Sequence, residues 1–253
     1  MSEVGVIINA DDLGMSQSVN DSTFRLIQSG HVTSATMMAN SPFIEEACDR
    51  ALLYPGCSFG AHLNVTEFFP LTGSGKLEPL LDDERCFNEE KTRETSVDAL
   101  LAEGIFAELC AQIDKLISLG IAVEHFDSHH HIHTLPRLFL ILKKLQKKYQ
   151  IRKVRITRNI YSTHENVSKK LWLKKSAFNF ALRHYYQTNT TQGFTDFKTF
   201  VEQGTRRRLK YRNVEIMVHP GSSVYEDESD ALAEPWNERM EFPVKLINYR
   251  DIS

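Results

Sequence analysis

The sequence predicts an α/β protein built as a TIM-like (β/α) barrel, either regular or irregular. Short runs of branched apolar residues alternate along the chain with longer stretches whose apolar residues recur at helical spacing. This alternation indicates a parallel sheet with helical crossovers, and about seven such units suit a closed barrel at least as well as an open sheet. Polar residues also follow most of the predicted strands, and the carboxyl ends of barrel strands converge on one mouth.

The first unit shows the pattern most clearly. Residues 4–8 form a nearly continuous apolar run, typical of a buried parallel strand, and Asp11 and Asp12 follow it directly. Ser16 is a candidate N-cap for a helix that Gly30 ends. Because neighbouring residues on a regular strand face opposite ways, both carboxylates can point into the mouth only if the strand bends there. The alternative is that the two aspartates only form a turn and a cap.

The later units repeat this order. Further strands are predicted over residues 32–39, 59–65, 123–127, 154–157, 214–218 and 245–249. Helices are predicted up to residue 51, from about Leu101 to Gly120, and after Pro136. The last of these should place leucine and isoleucine inward and four lysines outward, at positions 143, 144, 147 and 148. His62 lies on the third strand, and His219 follows the strand over residues 214–218.

A histidine cluster follows the fourth predicted strand. Five of the ten histidines lie within residues 125–133, just after an apolar run. Imidazole is the commonest protein metal ligand, so this density indicates a metal site more than packing. An extended backbone would put Asp127, His129, His131 and His133 on one face. The alternative is a solvated tract, but expression tags lie at chain ends and this cluster is internal.

Composition narrows the class of protein. A formal net charge of −3 and mixed charges do not indicate a nucleic-acid binder, and the basic run at residues 206–212 is typical of a solvated helix face. Four scattered cysteines without paired spacing, no signal-like segment and no apolar run of membrane-spanning length predict a cytoplasmic protein that binds no membrane. The aromatic and lysine-rich stretch at residues 169–186 is expected to pack on the core with its lysines extended into solvent.

The domain organisation is predicted to be simple. Residues 1–253 should form one catalytic barrel domain with an irregular insertion at about residues 66–96. Long insertions of this kind are usually lids or binding loops, and the run around Phe68 and Phe69 is a candidate part of the mouth, with a plain surface loop equally open.

Six sequence blocks, taken in chain order, resemble those of the YdjC-like carbohydrate deacetylases, a family that includes chitooligosaccharide deacetylase. The blocks are Asn9-Ala-Asp11-Asp12-Leu-Gly14, Val32-Thr33-Ser34 with Asn40, Gly60-Ala-His62, Asp127-Ser-His129-His130-His131-Ile-His133, Thr191-Gln192-Gly193-Phe194 and His219-Pro220. The sequence departs from the common pattern at Leu13, where phenylalanine is frequent, and residues 162–186 do not align. The resemblance implies a deacetylase-type barrel that hydrolyses the N-acetyl group of an acetylated sugar.

The resemblance also implies roles for individual residues. Asp12, His62 and His129 would hold a divalent ion, Asp11 would be the general base and His219 the general acid. The resemblance points to Mg²⁺, whereas one oxygen and two imidazole nitrogens also suit Zn²⁺ or another transition metal.

Further residues are candidates for substrate contacts. Arg155 and Arg158 could orient a carboxylate or bind a sugar hydroxyl, with a surface ion pair as the alternative. His131 and His133, and with them His130, are expected to contact either the substrate or the metal ligands. Phe194 belongs to a block that is expected to help set substrate choice. The expected partner is a small acetylated sugar such as diacetylchitobiose, and a homodimer is left open.

Two other classes of function fit the same residues. A barrel phosphoesterase or amidohydrolase also takes Asp and His ligands from strand ends, but it usually has more ligands and often a second metal. A non-catalytic sugar-binding protein would bind its ligand without needing Asp11 or His219. The presence of a candidate base, metal triad and acid in one sequence favours the hydrolase.

Overall fold

The computed structural model describes residues 3–225 and 227–253. The predicted domain also includes Met1, Ser2 and Glu226, which lie outside the described residues.

All strands of the sheet run parallel. Along the sheet the order is β5-β4-β3-β2-β1-β7-β6, and β8 pairs with the beginning of β1. The first strand is therefore central, and it contacts β2, β7 and β8. The bounds are β1 Val4–Leu13, β2 Ser34–Met37, β3 Ser58–Leu63, β4 His125–Ser128, β5 Lys153–Val154, β6 Gly193–Asp196, β7 Asn213–Val218 and β8 Val244–Leu246.

The two edge strands, β5 and β6, approach one another without forming a continuous ladder. Asn189 accepts a hydrogen bond from the Val154 amide at 3.2 Å, and Phe194 accepts one from the Asn159 amide at 3.2 Å. The sheet is thus curled like a barrel, and only a few hydrogen bonds cross the seam. The predicted barrel-like α/β fold is confirmed at this level, but a fully closed TIM barrel is not.

Helices cover the outside of the curled sheet. Ser16 caps the first helix by accepting a hydrogen bond from the Val19 amide at 3.2 Å, as predicted. The helices are α1 Gln17–Gln28, α2 Ile44–Ala51, α3 Glu89–Glu94, α4 Ala99–Ser118, α5 Phe139–Tyr149, α6 Lys169–His184, α7 Phe197–Gly204 and α8 Glu228–Ala233. Short 3₁₀ turns cover Gly75–Leu80, His129–Thr134, Pro136–Leu138, Trp236–Arg239 and Tyr249–Asp251.

Two expectations about the helices are wrong. Lys143 was expected to face solvent, but it is only 2% exposed and its ammonium donates to the Leu182 carbonyl and the Thr188 hydroxyl. Its position follows from the packing of α5 against the end of α6, where free carbonyl groups favour a cation.

Helix α6 is more exposed than predicted, whereas Lys143 is more buried than predicted. Of its residues only Asn179 and Leu182 are buried, while Trp172 and Phe180 are 54% and 63% exposed. The expected core packing therefore fails for Trp172 and Phe180, whereas Leu182 and Phe178 do pack on the core. Among the described residues, none of the helices has both the length and the apolar character needed to cross a bilayer.

Candidate metal-binding and catalytic site

The first strand bends where its two aspartates lie. Asp12 has a φ of 64°, and the pairing of β1 with β2 shifts register between Ala10 and Leu13. Aspartate tolerates this left-handed conformation better than most residues because its short polar side chain can hydrogen-bond locally. The irregularity breaks the strand alternation, so both Asp11 and Asp12 reach the mouth, as the sequence required.

Asp12 lies beside two histidines from other strands. Its Oδ1 atom is 3.1 Å from Nε2 of His62, on β3, and 2.8 Å from Nδ1 of His129, which follows β4. The atoms that these three residues would offer to one ion all lie within 4.8 Å of each other. One carboxylate and two imidazoles at strand ends are a donor set that can hold a divalent metal and leave positions open.

Each histidine of this group has a second carboxylate on its other ring nitrogen. His62 donates from Nδ1 to Asp127 at 2.7 Å, and His129 donates from Nε2 to Glu67 at 2.9 Å. Such partners fix the orientation and tautomer of a ligating imidazole and raise its basicity.

These carboxylates also set the charge of the histidines when no metal is bound. Burial lowers the pKa of His62, but Asp127 and Asp12 outweigh it and raise the pKa to about 10. Burial likewise lowers the pKa of His129, while Asp12 and Glu67 raise it, for a net upward shift. At neutral pH a metal ion would therefore have to displace a proton from His62.

The guanidinium of Arg155 holds the carboxylate of Asp11. Its two carboxylate oxygens accept hydrogen bonds from Nη1 and Nη2 of Arg155, each at 2.6 Å. Oδ1 also accepts a hydrogen bond from the side-chain Nδ2 of Asn9 at 2.8 Å. Burial raises the pKa of Asp11, but the guanidinium outweighs that effect and the pKa lies well below its usual range. Asp11 is therefore ionised and fixed in orientation beside Asp12.

The place of Arg155 corrects two expectations about this residue. Its side chain is fully buried, so the surface ion pair is wrong. Its guanidinium is engaged by Asp11, Asp127 and Glu215, which leaves it no exposed surface for the predicted substrate contact.

A second group of possible ligands consists of Asp11, His62 and Asp127, whose donor atoms also lie within 4.8 Å of one another. Nη1 of Arg155 lies 2.6 Å from Asp11 and 2.8 Å from Asp127. Because this guanidinium already neutralises both carboxylates, a cation among them would meet a positive charge. The geometry therefore favours Asp12, His62 and His129.

His219 shares a cavity with both aspartates. The cavity has a volume of about 210 Å³ and is lined by Asp11, Asp12 and His219 together with the start of α1. The loop after His219 reaches α1 through Gly221, whose φ is 75° and where an added Cβ atom would lie 2.3 Å from the Ser18 carbonyl oxygen. Only glycine fits this approach.

Contacts with Tyr225 and Glu228 hold His219 in position. Its ring stacks on Tyr225 with centroids 4.5 Å apart, and its backbone amide donates to Glu228. Burial raises the pKa of Glu228 to about 7.

The histidine cluster does not continue as a strand, so the predicted alternation fails beyond Ser128. His130 and His131 have φ values of 49° and 55°, and the chain turns sharply there. This turn directs His129 towards Asp12, while His131 packs edge-on against Phe194 with centroids 5.8 Å apart. Burial lowers the pKa of His131 to about 3, so this ring is neutral.

His131 and Phe194 line a separate cavity of about 220 Å³ together with Arg158 and Lys175. Arg158 forms ion pairs with Glu165 at 2.8 Å and with Asp196 at 3.0 Å, which agrees with the ion-pair alternative for this residue.

His133 is buried elsewhere. Its Nδ1 atom is 2.6 Å from the Ser128 hydroxyl, and its Nε2 atom is 3.2 Å from the Arg155 carbonyl oxygen. Because both ring nitrogens are engaged inside the protein, the predicted substrate contact of His133 is not supported.

Sequence reasoning missed the partners of the central residues. Glu67 was placed in the insertion without a role, and neither Glu215 nor Tyr249 was considered. A carboxylate four residues after the end of β3 was a usable signal for Glu67, since it follows a strand that carries a predicted ligand.

Several known proteins are similar to this chain. Residues 5–242 match the family model described as YdjC-like protein. A carbohydrate deacetylase from Geobacillus stearothermophilus is 38% identical over 157 residues, which cover 60% of this chain and 60% of that protein. One from Vibrio campbellii is 35% identical over 147 residues, covering 58% and 57% of the two chains.

Other relatives match over nearly the whole chain. A carbohydrate deacetylase from Brevibacillus brevis is 30% identical over 247 residues, covering 98% of this chain and 92% of that protein. A solved structure from Enterococcus faecalis V583, of a protein with a proposed role in cellobiose-phosphate cleavage, superposes with a TM-score of 0.79 at 24% identity and covers 98% of both chains. This last likeness supports the fold alone.

Proposed function

The chain belongs to the YdjC-like protein family, and from this membership and the geometry of the mouth we propose that it is a metal-dependent hydrolase that removes N-acetyl groups from small acetylated carbohydrates. The curated relatives supply the activity, since several are carbohydrate deacetylases. The proposed substrate is a short N-acetylated sugar of the diacetylchitobiose kind.

Asp12, His62 and His129 would hold the divalent ion. Such an ion lowers the pKa of a bound water and polarises the carbonyl that is attacked. The family resemblance implies Mg²⁺, and the two imidazole nitrogens also suit Zn²⁺ or another transition metal. Asp127 and Glu67 would keep both imidazoles aimed at the ion, because each accepts a hydrogen bond from the nitrogen on the far side of the ring.

Asp11 is the proposed general base. It lies next to Asp12 in the chain, is ionised, and is held by two hydrogen bonds from Arg155. An ionised carboxylate can accept the proton of an attacking water, and a fixed one does so without reorganisation. Its low pKa means that it would hold that proton only briefly.

His219 is the proposed general acid. It lines the same cavity as Asp11 and Asp12, so it can reach a group bound between them. An amine leaves poorly unless its nitrogen is protonated, and imidazole is the side chain best suited to supply a proton near neutral pH. Stacking on Tyr225 and the bond from its backbone amide to Glu228 hold the ring at the cavity wall.

The observation that carries the proposal is that three residues from distant parts of the chain meet within 4.8 Å beside an ionised aspartate that is not one of them. The test is to measure acetate released from diacetylchitobiose by the native protein, by the chelator-treated protein and after a divalent ion is returned. We expect release, loss and recovery in that order. Release that a chelator does not affect would overturn metal dependence.

Measurements on the same purified protein also distinguish the other two classes of function. A phosphoesterase would bind close to two metal ions per chain and hydrolyse phosphate esters without releasing acetate. A sugar-binding protein would bind the disaccharide without turning it over. The engagement of Arg155 with Asp11 and Asp127 favours one ion per chain.

The compartment is also part of this proposal. All four cysteines are free thiols, which supports work in a reducing compartment such as the cytoplasm.

A further inference from the structure

Arg155 joins the mouth of the curled sheet to its opposite end. While Nη1 and Nη2 bind Asp11, the Nε atom donates to Oε1 of Glu215 at 2.7 Å. Both Arg155 and Glu215 are fully buried. The planar guanidinium is rigid, so the group that holds Nε also sets the direction in which the two Nη atoms point.

Glu215 is held in turn by a residue from the chain's last turn. Its Oε2 atom accepts a hydrogen bond from the Tyr249 hydroxyl at 2.6 Å. The Tyr249 ring stacks on His125 with centroids 3.7 Å apart and planes inclined by 13°. The Tyr249 amide donates to the hydroxyl of Ser58, the first residue of β3, which places Tyr249 at the end of the sheet opposite the mouth.

The segment that carries Tyr249 is anchored independently. Arg250 pairs with Glu124 at 2.7 Å and donates to the Cys57 carbonyl at 2.9 Å. These contacts fix the backbone beside Tyr249, so its hydroxyl is presented to Glu215 by a rigid support.

The charges around Arg155 also depend on the hydrogen bond from Tyr249 to Glu215. Three carboxylates, those of Asp11, Asp127 and Glu215, surround one guanidinium. Burial raises the pKa of Glu215 to about 7, whereas Arg155 and the Tyr249 hydroxyl favour its charged form. Removing the hydroxyl would therefore weaken the hold of Glu215 on Nε of Arg155.

We propose that Glu215 and Tyr249 are positioning residues for the reaction. They fix Arg155 from the end of the sheet opposite the mouth, and Arg155 in turn holds Asp11 in the orientation needed to accept a proton. The chain of contacts runs Tyr249, Glu215, Arg155, Asp11, and it ties the last turn of the protein to the mouth. This inference rests on the proposed role of Asp11 as the base.

The first test is kinetic. Tyr249→Phe keeps the ring on His125 and removes only the hydroxyl. We expect kcat for acetate release to fall about tenfold with KM nearly unchanged, a loss comparable to that of one hydrogen bond to a charged group. Glu215→Gln should also lower kcat. The fold loss of kcat in the double variant should be much smaller than the product of the two single fold losses, because both substitutions act through Arg155.

A matched control is Tyr149→Phe. The Tyr149 hydroxyl also donates to a carboxylate, that of Asp114 at 2.8 Å, but it lies between α4 and α5 and away from Arg155. This variant should keep the native kcat. A purely structural role for Tyr249 would instead lower the melting temperature and leave kcat per folded molecule unchanged, and that result would overturn the proposal.

A second measurement does not depend on turnover. The Arg155 Nε–H group is buried and hydrogen-bonded, so its proton should exchange slowly with solvent in NMR spectra of the native protein. We expect exchange at least about tenfold faster in Tyr249→Phe and native exchange in Tyr149→Phe. If the native protein releases no acetate, the proposed function fails while this measurement still decides the contact chain. Unchanged exchange in Tyr249→Phe would overturn the chain itself.

Discussion

Glu67 accepts a hydrogen bond from Nε2 of His129, the ring nitrogen that faces away from Asp12, at 2.9 Å. The side chain of Glu67 is partly exposed and comes from the insertion, whereas His129 is buried beside β4. A residue outside the strands therefore orients one of the proposed ligands. The backbone that carries Glu67 is itself fixed, because its carbonyl accepts from the amide groups of Asn40 and Asn64.

Glu67→Gln is expected to weaken divalent metal binding by about ten- to a hundredfold, because the amide orients and polarises the imidazole less well than the carboxylate. Titration against a chelating dye gives the affinity. Glu103→Gln, which removes an exposed carboxylate paired with Lys76, is the matched control and should bind metal as the native protein does. Equal affinities for the Glu67 variant and the native protein would show that this contact does not support the site.

Asp11→Asn is expected to lower acetate release by about a hundred- to ten-thousandfold while metal content stays native, because the amide cannot accept the proton of the attacking water. Asp21→Asn, at an exposed aspartate that pairs with Arg50, provides the control and should keep full activity. Native turnover in the Asp11 variant would remove this residue from the mechanism.

The left-handed backbone at Asp12 predicts an unusual order of stability. Both Asp12→Gly and Asp12→Ala lose the carboxylate, but only glycine adopts a φ of 64° without a penalty. We expect the glycine variant to be more stable by about 1 kcal/mol, the reverse of the order found at ordinary positions. Urea unfolding of both metal-free proteins measures this difference. A more stable alanine variant would mean that the bend is not as described.

The pKa of His62 predicts how the metal-free protein responds to pH. Its folded pKa, about 10, lies above the ordinary value of 6.5, so the folded state binds the proton more tightly than the unfolded state. The stabilisation is fully present below pH 6.5 and is lost as pH rises towards 10. Urea unfolding with a chelator present should therefore show a falling free energy of unfolding over this range. His62→Gln should flatten that slope, and an identical slope in both proteins would contradict the charge assigned to His62.

Much of the site follows from the sequence because its residues adjoin predicted strands. The run before Asp11 and Asp12 identifies a buried strand, and its end places the two carboxylates at the mouth. The need for a bend between them was also foreseeable, since a regular strand cannot direct both inward. His62 and His129 come together with Asp12 because parallel strands end at one edge.

The remaining features depend on contacts between distant parts of the chain. No local pattern shows that Arg155 lies beneath Asp11, or that Tyr249 reaches Glu215 across the interior of the sheet. The turn at His130 and His131 also escapes a periodicity argument, because an alternating pattern assumes extended backbone. Lys143 and α6 were misjudged for a related reason, since helical spacing shows which residues share a face but not what that face meets.

X-ray diffraction from crystals grown with Zn²⁺ or Co²⁺, recorded at the absorption edge of the metal, locates the bound ion itself. We expect one anomalous peak per chain within bonding distance of Asp12, His62 and His129, and none between Asp11 and Asp127. A peak among Asp11, His62 and Asp127, or no peak at the mouth, would contradict this expectation.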